Sequence, residues 1–245
     1  MGDSYRDQRF EGADFNGATF RNCDLRNVKM PACWLEDVRV DGFVRSFFVN
    51  GIDVAPLVEA ELDRRHPERA QLHAMKTADD HRAMWKVIEA QWAGTVERAQ
   101  RLPEPVLHER VDDEWSFVET LRHLVFASDA WVNRAVLDAP TPFHPLGVTH
   151  TSYPIDAAVG LGIDLDAQPS LDEVLAMRRE RLAIVRGVVE GLTDESLTAT
   201  SARTPAPLYS DELPTVGECV QTVMEEEIEH HRYATRDLVV LESRT

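Results

Sequence analysis

Lysine is nearly missing from this 245-residue chain: Lys29, Lys76 and Lys86 are the only three, and every other basic side chain apart from histidine is arginine. Acidic residues outnumber basic ones, 43 to 26, for a formal net charge of −17. A surface of that sign repels phosphate backbones and excludes nucleic acid as a partner. It suits a soluble, self-repelling protein. Cysteine is scarce too. Cys23, Cys33 and Cys219 are odd in number and widely spaced, which is neither a disulfide framework nor a cysteine-rich zinc site. No apolar run is long enough to span a bilayer, and the polar N-terminus lacks a signal-peptide pattern. The expectation is a cytoplasmic protein with no membrane partner.

What the chain does have is, first, a period of five. Six consecutive units end in a large apolar residue (Phe15, Phe20, Leu25, Met30, Leu35, Val40) and carry Ala13, Ala18, Cys23, Val28, Cys33 and Val38 two positions earlier. A fixed period means one structural unit stacked on itself. The pattern resembles the pentapeptide-repeat family, which implies a right-handed, four-sided β-helix with the large and the small residue of each unit facing inward. Cys23 and Cys33 then fall on small inward positions, as buried packing residues. Four pentapeptides make one coil in that family, so these units give about one and a half coils, too few for an independent core. The segment is expected to pack on the rest of the chain or on a second subunit.

The repeats and their exit occupy residues 1–50, with Phe47-Phe48-Val49 as an edge strand. A connector with a short helix over 54–65 occupies 51–76, and 77–245 reads as helical. One helix covers 78–102, with Met84, Val87, Ile88, Gln91, Trp92 and Val96 along one side. Three more begin at Ser116 with Glu119, Ser170 with Glu173 and Thr215 with Glu218, each pair a capping box. Four amphipathic helices without an alternating strand pattern imply a mainly α fold, a four-helix bundle. The connection over 139–169 carries five prolines and is long enough to be a lid or a binding segment. His144, His150 and Tyr153 lie on it, and His150 is the candidate for substrate binding.

In the fourth helix, Glu227 and His231 stand four residues apart, about 40° apart on one face. Val216, Val220, Val223, Met224, Ala234 and Leu238 share that face. Burying an ionised carboxylate costs several kcal/mol, on the order of the desolvation penalty of one ion, unless it is paired or metal-bound. An imidazole beside it makes a metal site the first expectation. The structural alternative is an ion pair with an arginine of the second helix, such as Arg122 or Arg134. A further ligand must come from another helix, and His123 is the candidate. It lies beside the stripe of Phe117, Leu121, Leu124, Ser128, Val132 and Ala135, near the small residues Thr120, Ala127 and Ala130. His230 lies about 60° from Glu227 on the opposite flank and reads as a supporting or surface residue, exchangeable with His231 only by a slip in register. Glu225 and Glu226 read as a solvated acidic face.

Four helices, a histidine in Leu-Arg-His-Leu on the second and Glu-x-x-x-His on the fourth resemble the DinB-like superfamily. Within it, the resemblance is to the mycothiol-dependent transferases and maleylpyruvate isomerases, over residues 79–241. It implies a DinB-like four-helix bundle holding one divalent metal through His123, Glu227 and His231. The metal is usually zinc there, and nickel, iron or manganese accept the same ligand types. Mycothiol is the implied cosubstrate. Metal coordination lowers a thiol's pKa, and the thiolate would attack a small electrophile such as an activated alkene, epoxide or halide. The nucleophile arrives with the cosubstrate, so Cys219 is left as a packing residue. The implied partners are that thiol and the electrophile, and a homodimer is compatible with the resemblance. A metal-dependent hydrolase, with water in the thiol's place, is the alternative enzyme. A non-catalytic metal-binding or interaction module, recruiting a partner through the repeats, is the alternative outside enzymes.

Overall fold

A computed structural model describes residues 4–42, 44–209 and 212–244, and the chain divides into two compact units, 1–41 and 42–245. In the first unit the five-residue period is a period of backbone conformation. Asp7, Gly12, Gly17, Asn22, Asn27, Ala32 and Asp37 all take φ between +52° and +76°. Glycine has no Cβ to clash in this left-handed region, and Asn and Asp tolerate it by local hydrogen bonding. The chain therefore turns at the same place in every unit. Tyr5, Phe10, Phe15 and Phe20 follow one another with ring centroids 5.5–6.1 Å apart.

Two expectations for this unit need correction. Among its described residues no strand forms, and Cys23 and Cys33 are exposed, not buried. A strand requires a partner about 4.7–4.9 Å away, and in so short a run a unit has at most one neighbouring coil to pair with. The buried cysteine is the third one. Cys219 is 0% exposed, and burial pushes its thiol up to about 12. Alkylating the native protein is expected to label Cys23 and Cys33 quickly and Cys219 only after unfolding. Peptide mass spectrometry reads the order, and equal labelling of all three would contradict it.

The second unit opens with a small antiparallel hairpin, β1 (Phe48–Val49) and β2 (Ile52–Asp53), followed by α1 (Ala55–Arg65) and α2 (Pro67–Ala74). The hairpin therefore lies beyond the break between the units, and the connector holds two helices where one was expected. Buried Arg69 binds Glu59, Asp63 and, on the last helix, Glu229. The bundle helices are α3 (Ala78–Ala99), α4 (Phe117–Ser128), α6 (Leu171–Gly191) and α8 (Val216–Glu242). All three sequence-marked capping boxes form, and a fourth, Thr77 with Asp80, opens α3. Two short helices, α5 (Ile155–Gly160) and α7 (Asp194–Leu197), lie in the connections.

Helix α4 packs on α6 and α8, and α3 packs on the same two, so the order around the bundle is α3–α6–α4–α8. Met84, Trp85, Ile88 and Trp92 meet Leu121, Leu124, Val174, Met177, Val220, Met224 and Leu238 in one core. No helix among the described residues is long and apolar enough to cross a membrane.

Candidate metal centre

Helix α4 does not end at Ser128 but widens into a π-turn, Asp129–Arg134. Such turns interrupt the regular ladder and often accompany functional sites. Here the turn presents the Asp129 carboxylate, 0% exposed, to Asn133 Nδ2 at 2.7 Å, Arg181 Nε at 2.5 Å and the His144 backbone N–H at 2.8 Å. Burial pushes this carboxyl group's pKa up, against the opposing pull of Arg181.

Two turns earlier, buried Arg122 donates to the carbonyls of Leu146, Ala167 and Asp164. The long connection is thus strapped to α4 at both residues and contains a helix of its own. Val148 closes the strap: its N–H donates to the Arg122 carbonyl, and its own carbonyl accepts from His123 Nδ1 at 2.9 Å.

That last bond decides the chemistry of His123. A carbonyl only accepts, so Nδ1 carries the proton, and in the neutral ring the lone pair is left on Nε2. Nε2 lies 3.3 Å from Glu226 Oε2. With Nε2 also protonated the two form an ion-paired hydrogen bond; with the neutral ring they are two acceptors, which repel unless a cation lies between them. Ligands held about 2.0–2.1 Å from a tetrahedral zinc stand apart by a similar distance. His230 Nδ1 lies 3.2 Å from the same Glu226 oxygen and 2.9 Å from the Glu226 backbone carbonyl, one turn back along α8. One donor atom from each of His123, Glu226 and His230 falls within 4.8 Å of the others. The donor set fits a divalent metal: two imidazoles, which bind a metal in their neutral form, and one carboxylate.

Burial raises the Glu226 carboxyl group's pKa, but a hydrogen bond from His123 and the positive charge that His123, His230 and His150 carry when protonated outweigh it and bring it below the usual range. Burial, helped by His123, pushes His230 down to about 4, so its ring is neutral at neutral pH. Trp115, just ahead of the α4 cap, covers both rings, with centroids 4.5 Å from His123 and 5.9 Å from His230. Phe126 lies 6.2 Å from His123, and Tyr153 of the strapped connection lies 6.1 Å from Phe126. His150 is exposed beside Tyr153, with Nδ1 on Ser152 Oγ; desolvation first, then His123, lowers its pKa.

Of the expected set His123, Glu227 and His231, the structure brings only His123 into this cluster. Glu227 is 0% exposed, as its stripe required, but its carboxylate is held by Arg178 of α6 at 3.1 and 2.5 Å. Burial pushes its pKa up and Arg178 opposes this. The ion-pair alternative had the right chemistry and the wrong helix, since Arg122 and Arg134 both serve backbone carbonyls. His231 Nε2 shares a hydrogen bond with Thr95 Oγ1 at 2.8 Å, and its ring meets Trp92 edge-on.

The residues that sequence reasoning missed, Glu226 and His230, form the second Glu-x-x-x-His of the same helix, offset by one. One signal was available. Arg178 lies on the apolar stripe Leu171, Val174, Leu175, Val185 and Val189 of α6, a lone cation matching the lone anion Glu227 on the stripe of α8.

The sequence adds a consistent comparison. The model of the DinB superfamily matches residues 88–234, and that of pentapeptide repeats matches residues 9–40 in eight copies. No curated protein and no solved structure matches the chain. The first match spans α4, α6 and all three clustered donors and covers more than half of the sequence, so the chain belongs to the DinB superfamily.

Proposed function

We propose that this protein is a metal-dependent thiol S-transferase, with His123, Glu226 and His230 as ligands of a divalent metal, zinc by ligand type. The superfamily includes metal-dependent enzymes, which supports the metal half of the reading. The observation that carries it is the 3.3 Å approach of His123 Nε2 to Glu226 Oε2 while His123 Nδ1 is committed to a carbonyl. When bound, the metal supplies a Lewis acid that lowers the pKa of a small thiol, for which mycothiol is our candidate.

The chain's own residues do the rest. Val148 fixes the His123 tautomer, and Arg122 and Asp129 hold the segment that carries Val148. Trp115 and Phe126 form an apolar wall beside the donors that suits a small electrophile. His150, at the exposed margin, is placed to bind a polar group of the substrate. Cys219 is buried and burial pushes its thiol up to about 12, so in this reading it packs and the cosubstrate supplies the nucleophile. The repeat segment we read as the beginning of a right-handed β-helix, fused for a role separate from this chemistry.

The test has two arms. Elemental mass spectrometry of the purified protein is expected to find about one equivalent of metal per chain, as one three-ligand site allows. The loaded protein is expected to consume a model electrophile only when mycothiol is present. Consumption without thiol would favour the hydrolase. Metal without turnover of any electrophile would favour a binding module, and no metal after zinc incubation would sink both enzymes.

A further inference from the structure

Helix α8 carries the pattern Glu-x-x-x-His twice, at Glu226/His230 and at Glu227/His231. The two pairs are chemically identical and lie about 100° apart around the helix axis. A metal recruiting one glutamate and one histidine from α8 has no preference between them, so something else must set the rotation of the helix.

We propose that Glu227 and His231 are that device: they anchor α8 so that Glu226 and His230 face His123. This inference rests on the metal-site reading above. The anchor is made by two other helices. Arg178 of α6 grips the fully buried Glu227 carboxylate through both terminal nitrogens, and lies over the Trp92 ring at 4.8 Å. From α3, Trp92 Nε1 donates to the Glu227 carbonyl at 3.3 Å, and Thr95 holds His231 one turn on.

The consequences of rotation are unequal. Turning α8 until Glu227 and His231 face His123 would bring Ile228 round to Arg178 and Arg232 round to Thr95. A buried guanidinium would then face an isobutyl-sized apolar group, and an uncompensated buried charge is strongly destabilising. A buried ion pair contributes little net stability compared with an apolar pair of similar volume, but it discriminates between registers. Glu227 and His231 are thus positioning residues, acting on the metal through the orientation of their neighbours.

The test separates anchoring from folding. The double variant Arg178→Met/Glu227→Met fills the same space without charge and leaves all three ligands in place. Its Co(II) affinity is expected to fall by about 10- to 100-fold, as for lost outer-sphere support. The visible d–d spectrum of the bound Co(II) is expected to change, while circular dichroism stays that of the wild type. Thr95→Val, which disturbs no charge, is expected to weaken Co(II) binding about 2- to 10-fold, the worth of one hydrogen bond; it decides the matter alone if the double variant does not fold. Wild-type affinity and spectrum in the folded variants would overturn the anchor and leave the metal site standing. A wild type that takes up no Co(II) would overturn the metal site and the anchor with it.

Discussion

Glutamine in place of Glu226 is expected to abolish stoichiometric metal binding while leaving the bundle folded. The Glu226 side chain is 32% exposed, and its carboxylate contacts the two histidines rather than a buried cation. Removing its charge leaves no charged group stranded in the core. The expected cost in stability without metal is about 1 kcal/mol or less, in the range of ordinary substitutions. The expected cost in metal affinity is far larger. Losing an outer-sphere group weakens binding about 10- to 100-fold, and Glu226 supplies the only anionic donor of the cluster. An amide oxygen neither neutralises the ion nor binds it as strongly.

Co(II) titration alongside thermal melts separates the two effects. His123→Ala should behave in the same way toward metal, with some added loss from the broken contact to Val148. The outcome that would reverse the assignment is full metal content in Glu226→Gln together with loss in a folded Glu227→Gln. That would restore Glu227 as the ligand and the rotated helix with it.

The bundle was legible because its signals are local. Ser116, Ser170 and Thr215 each cap the helix they precede, and the stripe of Val220, Val223, Met224 and Leu238 is the buried face of α8. The burial of Glu227 was legible for the same reason. What its carboxylate binds was not, because the partner is 49 residues away in sequence, on α6. Expecting a metal there assumed that the deepest acid is the ligand. The geometry has the opposite logic: the fully buried acid is satisfied by arginine, and the half-buried one on the flank toward α4 keeps an open side for chemistry.

His123 was found from its flank of small residues, but the bond that fixes its tautomer was out of reach. Val148 lies in an irregular connection, brought back to α4 by Arg122 and Asp129 in a way no periodicity encodes. In the repeat segment the period was plain, and a third feature of it went unread. The turn position of each unit holds Gly, Asn, Asp or Ala at positive φ, which is a conformational requirement separate from the inward pattern.

Truncating Glu227 to alanine should produce the largest fall in stability of any single change in this helix. Its carboxylate is 0% exposed and Arg178 is 3% exposed, so alanine leaves a guanidinium in the core facing a cavity. Breaking a buried pair by removing one partner costs about 3–5 kcal/mol. At about 2–4 °C per kcal/mol for a domain of this size, the midpoint should drop by roughly 6–20 °C. Stacking on Trp92 offers Arg178 only partial compensation.

The double substitution to methionine is the decisive control. If the cost arises from the stranded charge, Arg178→Met/Glu227→Met should recover most of the lost midpoint, since apolar replacement of a buried pair is often neutral or stabilising. If it arises from cavity volume alone, Glu227→Met by itself should recover as much. A melt of Glu227→Ala within a degree or two of the wild type would mean that water reaches Arg178, and the buried pair would lose its claim to set the rotation of α8. Stability and metal affinity should therefore part company along this helix: position 226 governs the ion, and position 227 governs the fold that presents it.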